Sequence, residues 1–146
     1  MATTSTVSGL AAHLRLAVAR TNRRLRQEAG SGLSPTLTAA LATIERHGPL
    51  TPSELAGREG VQRPTATKLI ARLETDGLVL RTADPGDGRS FLISASAAGR
   101  ALLKESRSRK DAFLARRLRA LPAEDRATLE RAADLLERLL AEEDRR

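Results

Sequence analysis

The sequence predicts a mostly α-helical chain that carries one small β hairpin, and three observations lead there. Leu and Ala, both strong helix formers, dominate the 40% apolar content of the 146 residues, with Phe91 and Phe113 the only aromatics. Apolar residues recur at helical spacing through most of the chain. That rhythm breaks once, between Leu78 and Ile93, where two short apolar runs flank the turn-forming Asp84-Pro85-Gly86-Asp87-Gly88.

Met1 to Ser8 is small and polar and reads as a frayed terminus. From about Gly9 to Gln27, Leu10, Leu14, Ala17, Val18, Thr21 and Leu25 share one stripe, and Arg15, Arg20, Arg23, Arg24 and Arg26 lie mostly off it. Gly30-Ser31-Gly32 ends that helix. Ser34-Pro35 restarts one, with a hydroxyl at N-cap and proline at the first helical position. Leu37, Ala40, Leu41 and Ile44 give it an apolar face, and His47-Gly48-Pro49 stops it, His47 reading as a helix-end residue that satisfies a carbonyl.

Thr51-Pro52-Ser53-Glu54 is a full capping box, and the short helix it opens ends near Glu59, before Gly60. A fourth helix starts near Gln62 to Pro64 and runs through Leu69, Ile70 and Leu73 to Gly77. Leu78–Thr82 and Arg89–Ile93 read as strands. Ser96 caps a long helix to about Ala120, with Leu102, Leu103, Phe113, Leu114, Leu118 and Leu121 apolar and no large apolar residue from Lys104 to Asp111. Pro122 marks a junction. The last helix carries Leu129, Ala132, Ala133, Leu136, Leu139 and Leu140, a narrow stripe suited to packing against other helices. A chain of this length is expected to form a single domain over 1–146.

Composition limits the function. A formal charge of +7 and a pI near 11.2 favour a polyanionic partner. With no cysteine, thiol switching and thiolate metal sites are excluded. No apolar run approaches the length of a membrane span and the N-terminus resembles no signal peptide, so a cytoplasmic location without membrane contact is expected. Serines such as Ser53 and Ser106 lack a His base, and no phosphate-cradling glycine loop follows a strand, so no enzyme and no cofactor are expected. His13 and His47 stand on different helices without paired acids, so no metal site is expected. Scarce aromatics argue against single-strand binding by base stacking.

The segment from Thr51 to Ile93 carries the functional signal. Two helices meeting at a sharp turn need small residues at their approach and a glycine where the chain reverses; Ala56, Gly60 and Ala66 meet those needs. Leu55, Val61, Leu69 and Ile70 supply apolar anchors, which leaves Gln62, Arg63, Thr65, Thr67 and Lys68 exposed at the start of the second helix. Arg and Gln can pair with guanine and adenine edges, Thr can meet phosphate or a thymine methyl, and Lys neutralises phosphate. Thr51 and Arg72 complete the DNA-facing helical set. The hairpin adds Arg81 and, at its tip, Arg89, whose guanidinium suits a narrow minor groove. Asp87, two residues before Arg89, could hold that guanidinium or cap turn amides; for Asp84 a plain turn role is equally well supported. This outline is a winged helix-turn-helix.

The entry GPLTPSELA, the run ARLETDGLVLRTADPGDGRSFLISASAAGRALL and the ending LPAEDRATLERAADLLERLL resemble the MarR family of transcriptional regulators. The resemblance spans essentially the whole chain, and the wing with its Asp-x-x-Asp-x-Arg pattern is its most specific part. It implies a homodimer on a pseudo-palindromic operator of double-stranded DNA, recognition helices in successive major grooves and Arg89 in a minor groove. Residues 34–94 would form the winged region and 9–30 and 96–144 the dimerisation helices, joined through Leu10, Leu14, Leu118, Leu121, Leu129, Leu136, Leu139 and Leu140. Gly88 stands where such proteins often have a basic residue, and Pro122 where a capping Ser or Thr is common. The family is commonly switched by a ligand lodged between reader and dimer helices. Here a small anionic or apolar effector would sit among Leu and Ala, with His13, Arg15 and Arg20 as polar anchors.

Charge is unevenly spread. Arg58 to Arg89 holds six basic against five acidic residues, Arg15 to Arg26 five against none, and Arg100 to Arg119 eight against two. Most of the excess therefore lies outside the reading element, where a solvated face is the preferred reading over phosphate contact. Two alternatives to an operator-binding repressor stand beside it. A winged-helix module that docks a protein should expose apolar anchors at Gln62 to Lys68, and this chain has none there. A non-specific nucleoid-type binder should show steep salt dependence and little sequence preference.

Overall fold

A computed structural model of the chain describes residues 6–141. The expectations for residues 1–5 and for the last helix beyond 141 lie outside the described residues. Helix α1 spans Val7–Ala29, α2 Pro35–His47, α3 Pro52–Glu59 and α4 Arg63–Thr75; strands β1 (Val79–Ala83) and β2 (Phe91–Ala95) follow, then α5 (Ala97–Arg119) and α6 (Ala123–Ala141). The chain divides into two compact units, 1–110 and 111–146.

Within the first unit, local chemistry sets most boundaries. Thr6 Oγ1 accepts the Gly9 amide at 3.1 Å, so α1 begins at Val7 and Ser8 is helical rather than frayed. Ser34 Oγ accepts the Leu37 amide at 3.2 Å with Pro35 behind it, as its sequence requires. The end of α2 is closed differently from expectation: the Ile44 carbonyl takes the Gly48 amide at 2.8 Å, and His47 is left exposed. Thr51 and Glu54 form the reciprocal box, at 3.2 Å and 3.3 Å, that opens α3.

The core lies among α2, α3, α4 and the hairpin. Leu41, Ile44, Leu50, Leu55, Ile70, Leu73 and Ile93 are fully enclosed, each contributing about 1.5–3 kcal/mol by leaving water. Phe91, Leu69, Val61 and Leu37 close over them from the edge.

The strands are antiparallel, with Arg81 opposite Ile93 and Ala83 opposite Phe91. Both sit later than the sequence suggests, β1 by one residue and β2 by two at their starts. Leu78 is withheld because its amide closes α4 on the Leu73 carbonyl at 2.9 Å. Arg89 and Ser90 stay in the turn because the Asp84 and Asp87 carboxylates accept the Gly86 and Arg89 amides, each at 2.9 Å. Leu50 adds a single bridge on the far side of β2, exchanging bonds of 3.1 and 2.8 Å with Ile93.

The start of α5 is locked to the reader. Ser96 Oγ accepts the Gly99 amide at 3.0 Å and donates to the Gly77 carbonyl at 2.7 Å. Gly99 lies against the chain so closely that a Cβ there would meet the Leu78 carbonyl oxygen at 2.1 Å. At the other end of the first unit Arg109 donates to the Ala29 carbonyl at 3.0 Å and to Glu105 at 2.6 Å.

In the second unit, α6 begins without a capping hydroxyl. Its first turn closes through the Arg126 amide, which donates to the Pro122 carbonyl at 3.1 Å, while the Arg126 guanidinium donates to the preceding Leu121 carbonyl at 2.8 Å. No residue of α6 is buried within the chain, and Leu139 and Leu140 are 63% and 68% exposed. Among the described residues no helix is long and apolar enough to cross a membrane.

Candidate nucleic-acid interface

The turn between α3 and α4 determines what α4 presents. Gly60 adopts φ +65°, a left-handed conformation that costs glycine little, and the Val61 amide returns to the Ala56 carbonyl at 3.0 Å. Ala56 and Ala66 are buried at the approach, and Ile70 and Leu73 root α4 in the core. Gln62, the N-cap of α4, makes no side-chain cap bond, and Pro64 supplies no amide in the first turn. Gln62, Arg63, Thr65, Thr67 and Lys68 are all exposed, so the expected reading residues are open to a partner around the start of α4. Thr67 is the exception in chemistry: its hydroxyl donates back to the Arg63 carbonyl at 3.0 Å. Thr51 is half-buried and accepts the Glu54 amide, with its own proton left to donate.

Two basic residues in the expected DNA-facing set are engaged inside the reader. Arg72, in the last turns of α4, pairs with Asp76 at 3.2 Å. Arg81 pairs with Glu74 at 2.6 Å, and its guanidinium carbon stands 3.6 Å from the centre of the Phe91 ring. Nothing in the local sequence pattern signals that triple contact, because its members come from a helix and two strands. Among the described residues Arg58, Arg63, Lys68 and Arg89 make no ion pair. The two internal pairs each take one base and one acid, so the net charge of the reader stays at the small excess its residue count gives, and Arg58, Arg63, Lys68 and Arg89 are the cations left open to solvent.

The residues expected to anchor an effector do not line the cavity beside α1. His13, Arg15 and Arg20 are exposed on α1. The cavity beside that helix, of about 270 Å³, lies at its C-terminal end and is lined there by Arg23, Arg26 and Gln27, with Leu33 and Thr38 from α2 and its approach and Ser106 and Lys110 from α5. Periodicity assigns residues to faces of a helix; it carries no information on where neighbouring helices leave a gap. Among the described residues no three His, Asp or Glu side chains gather as a metal would need.

A reading helix with an open polar start, set beside a ribbon with a free arginine at its tip, defines a winged helix-turn-helix protein that binds DNA. The MarR family model matches residues 33–91, from the approach to α2 through the first residue of β2. An uncharacterized HTH-type transcriptional regulator of Mycobacterium bovis is 41% identical over 134 residues, covering 91% of this chain and 94% of its own. A crystal structure from Pseudomonas aeruginosa, of a candidate transcriptional regulator, matches with TM-score 0.81 at 38% identity, over 90% of this chain and 93% of that one. A point mutant of Staphylococcus aureus MepR, bound to an oligodeoxyribonucleotide, shares the fold at TM-score 0.69 and 20% identity, over 90% of this chain and 96% of that one. The chain belongs to the MarR family of transcriptional regulators.

Proposed function

We propose that this protein is a homodimeric repressor that reads a pseudo-palindromic operator, α4 in the major groove and the hairpin tip in the minor groove. The observation that carries the reading is the start of α4, where Gln62, Arg63, Thr65 and Lys68 are exposed and no apolar anchor stands among them. Such a surface suits base edges and phosphates and is poorly suited to a protein groove. Arg89 extends it along the duplex. A cytoplasmic location accords with such a partner.

Dimerisation is supported by the apolar side chains left open on the terminal helices, Leu10 at 49%, Leu14 at 37%, Leu129 at 47% and Leu139 at 63% exposure. Exposed leucines in stripes of this kind are covered in a stable assembly. Leu118, Leu121 and Leu136 are half-buried within the chain and Leu140 is exposed, and all belong to the same proposed interface. Release by a small anionic effector is supported by the cavity with Arg23, Arg26 and Lys110 at its lining, closer to an enclosed site than the exposed His13, Arg15 and Arg20. Selection of duplexes from a randomised library by the purified chain, with sedimentation of the complex, tests the reading. Enrichment of a two-fold symmetric sequence by a dimer is expected. Equal retention of all sequences would make it a non-specific binder instead.

A further inference from the structure

The two arginines of the hairpin differ in what surrounds them. Arg89, at the tip, has its guanidinium free of any ion pair among the described residues, its amide held by Asp87. Arg81, in the middle of β1, has none of that freedom. Its Nη2 donates to Glu74 Oε1 at 2.6 Å, and its guanidinium carbon lies over Phe91 at 3.6 Å from the ring centre. Glu74 belongs to the end of α4 and Phe91 opens β2, diagonally across from Arg81 in the ladder. One guanidinium, rooted in β1, therefore touches both the end of α4 and the start of β2.

A two-stranded ribbon is intrinsically twisted and marginal on its own. Buried Val79, Ile93 and Ala95 fix its base, but beyond them the side chains must set its angle. Arg81 is the next residue outward on the core-facing side of β1, between the buried base and the tip. The ion pair is half-exposed on both sides, 47% and 30%, so its contribution to global stability is small. Its geometry is restrictive all the same, because a stacked planar guanidinium with a carboxylate at its edge admits few orientations.

We propose that Glu74, Arg81 and Phe91 form a clasp that fixes the reach of Arg89 from the Arg63 face of α4, and so sets the spacing each subunit accepts between major-groove and minor-groove contacts. Arg81 is then a positioning residue and not a phosphate contact. This rests on the DNA-binding reading above.

The two roles predict opposite signs. If Arg81 touched phosphate, Glu74→Gln would free a cation and tighten binding. If the clasp aims the wing, the same change weakens it. The test uses the full chain and a duplex that the wild type itself selects from a randomised library, with affinity measured for Glu74→Gln, Arg89→Ala and the two combined. Arg89→Ala is expected to weaken binding about tenfold. Glu74→Gln should lose a comparable factor, and the combination no more than Arg89→Ala alone, since an unaimed wing has nothing further to lose. Arg81→Lys, which keeps the charge without the stack, should fall between, and it carries the test if Glu74→Gln does not fold. Unchanged or tighter binding by Glu74→Gln, or losses that multiply in the combination, would overturn the clasp while leaving the DNA reading intact. Failure of the wild type to enrich any duplex would overturn both.

Discussion

Asp87 accepts the backbone amide of Arg89 at 2.9 Å and makes no ion pair with the guanidinium of that arginine. The carboxylate shapes the tip and leaves the cation to its partner. Asn forms the same turn as Asp, whereas Ala does not. Asp87→Asn is therefore expected to keep affinity for the selected duplex within about twofold, and Asp87→Ala to lower it about tenfold. Anisotropy titration reads both; an Asn variant as weak as the Ala variant would mean that the charge itself is needed.

Arg63 stands at the first helical position of α4, exposed and without an ion pair. Arg63→Ala should cost about 1–3 kcal/mol on the selected duplex and relax preference at one base pair. Lys68→Ala should instead weaken binding alike on all sequences and reduce the salt slope by about one unit. If Arg63→Ala lost equally on random DNA, base reading would have to lie elsewhere on the helix.

Two glycines in helices predict opposite changes in stability. A Cβ at Gly99 would meet the Leu78 carbonyl oxygen at 2.1 Å, while one at Gly57 in α3 would meet nothing within 4 Å. Gly99→Ala should destabilise the fold by about 1–3 kcal/mol, as crowding of a packed contact does. Gly57→Ala should stabilise it by about 0.5–1 kcal/mol through helix propensity alone. Urea denaturation of both variants gives the two signs directly.

Leu136 and Leu139 lie on the stripe of α6, a helix that has no buried residue within the chain. Changing both to Glu should leave the reader folded and shift the sedimenting species from dimer to monomer at micromolar concentration. DNA affinity should fall with it, because two linked half-sites bind far more tightly than one. A dimer that survives the change would move the interface off this stripe.

What is legible in the sequence follows how locally each feature is encoded. Ser34-Pro35, the Thr51–Glu54 box and Ser96 act on amides within three residues, so their helix starts can be read directly. Which residues α4 exposes is legible for the same reason: Gly60 makes the turn, and the register of buried Ala56, Ala66 and Ile70 dictates which side chains face out. The start of α1 is not legible although its cap is equally local, because the small polar run up to Ser8 offers several hydroxyls and no apolar stripe to mark which of them caps the helix. The strands shift because Leu78 can serve either the ladder or the end of α4, and hydrogen bonding to Leu73 decides. Features built from distant segments leave no trace in the sequence pattern. The Leu50–Ile93 bridge, the Glu74–Arg81–Phe91 contact and the cavity at Arg23, Arg26 and Lys110 all depend on how helices and strands come together.

Every buried apolar side chain among the described residues lies between Ala29 and Leu103. Cohesion is thus lodged in the middle of the sequence, and the outer helices have little of their own. In heavy water the amides of α6 should take up deuterium first, at a rate that falls as protein concentration rises, while those of α2 and β2 should be indifferent to it. Abundance in the cell would then govern how stiff the outer helices are, with the instrument they carry already rigid.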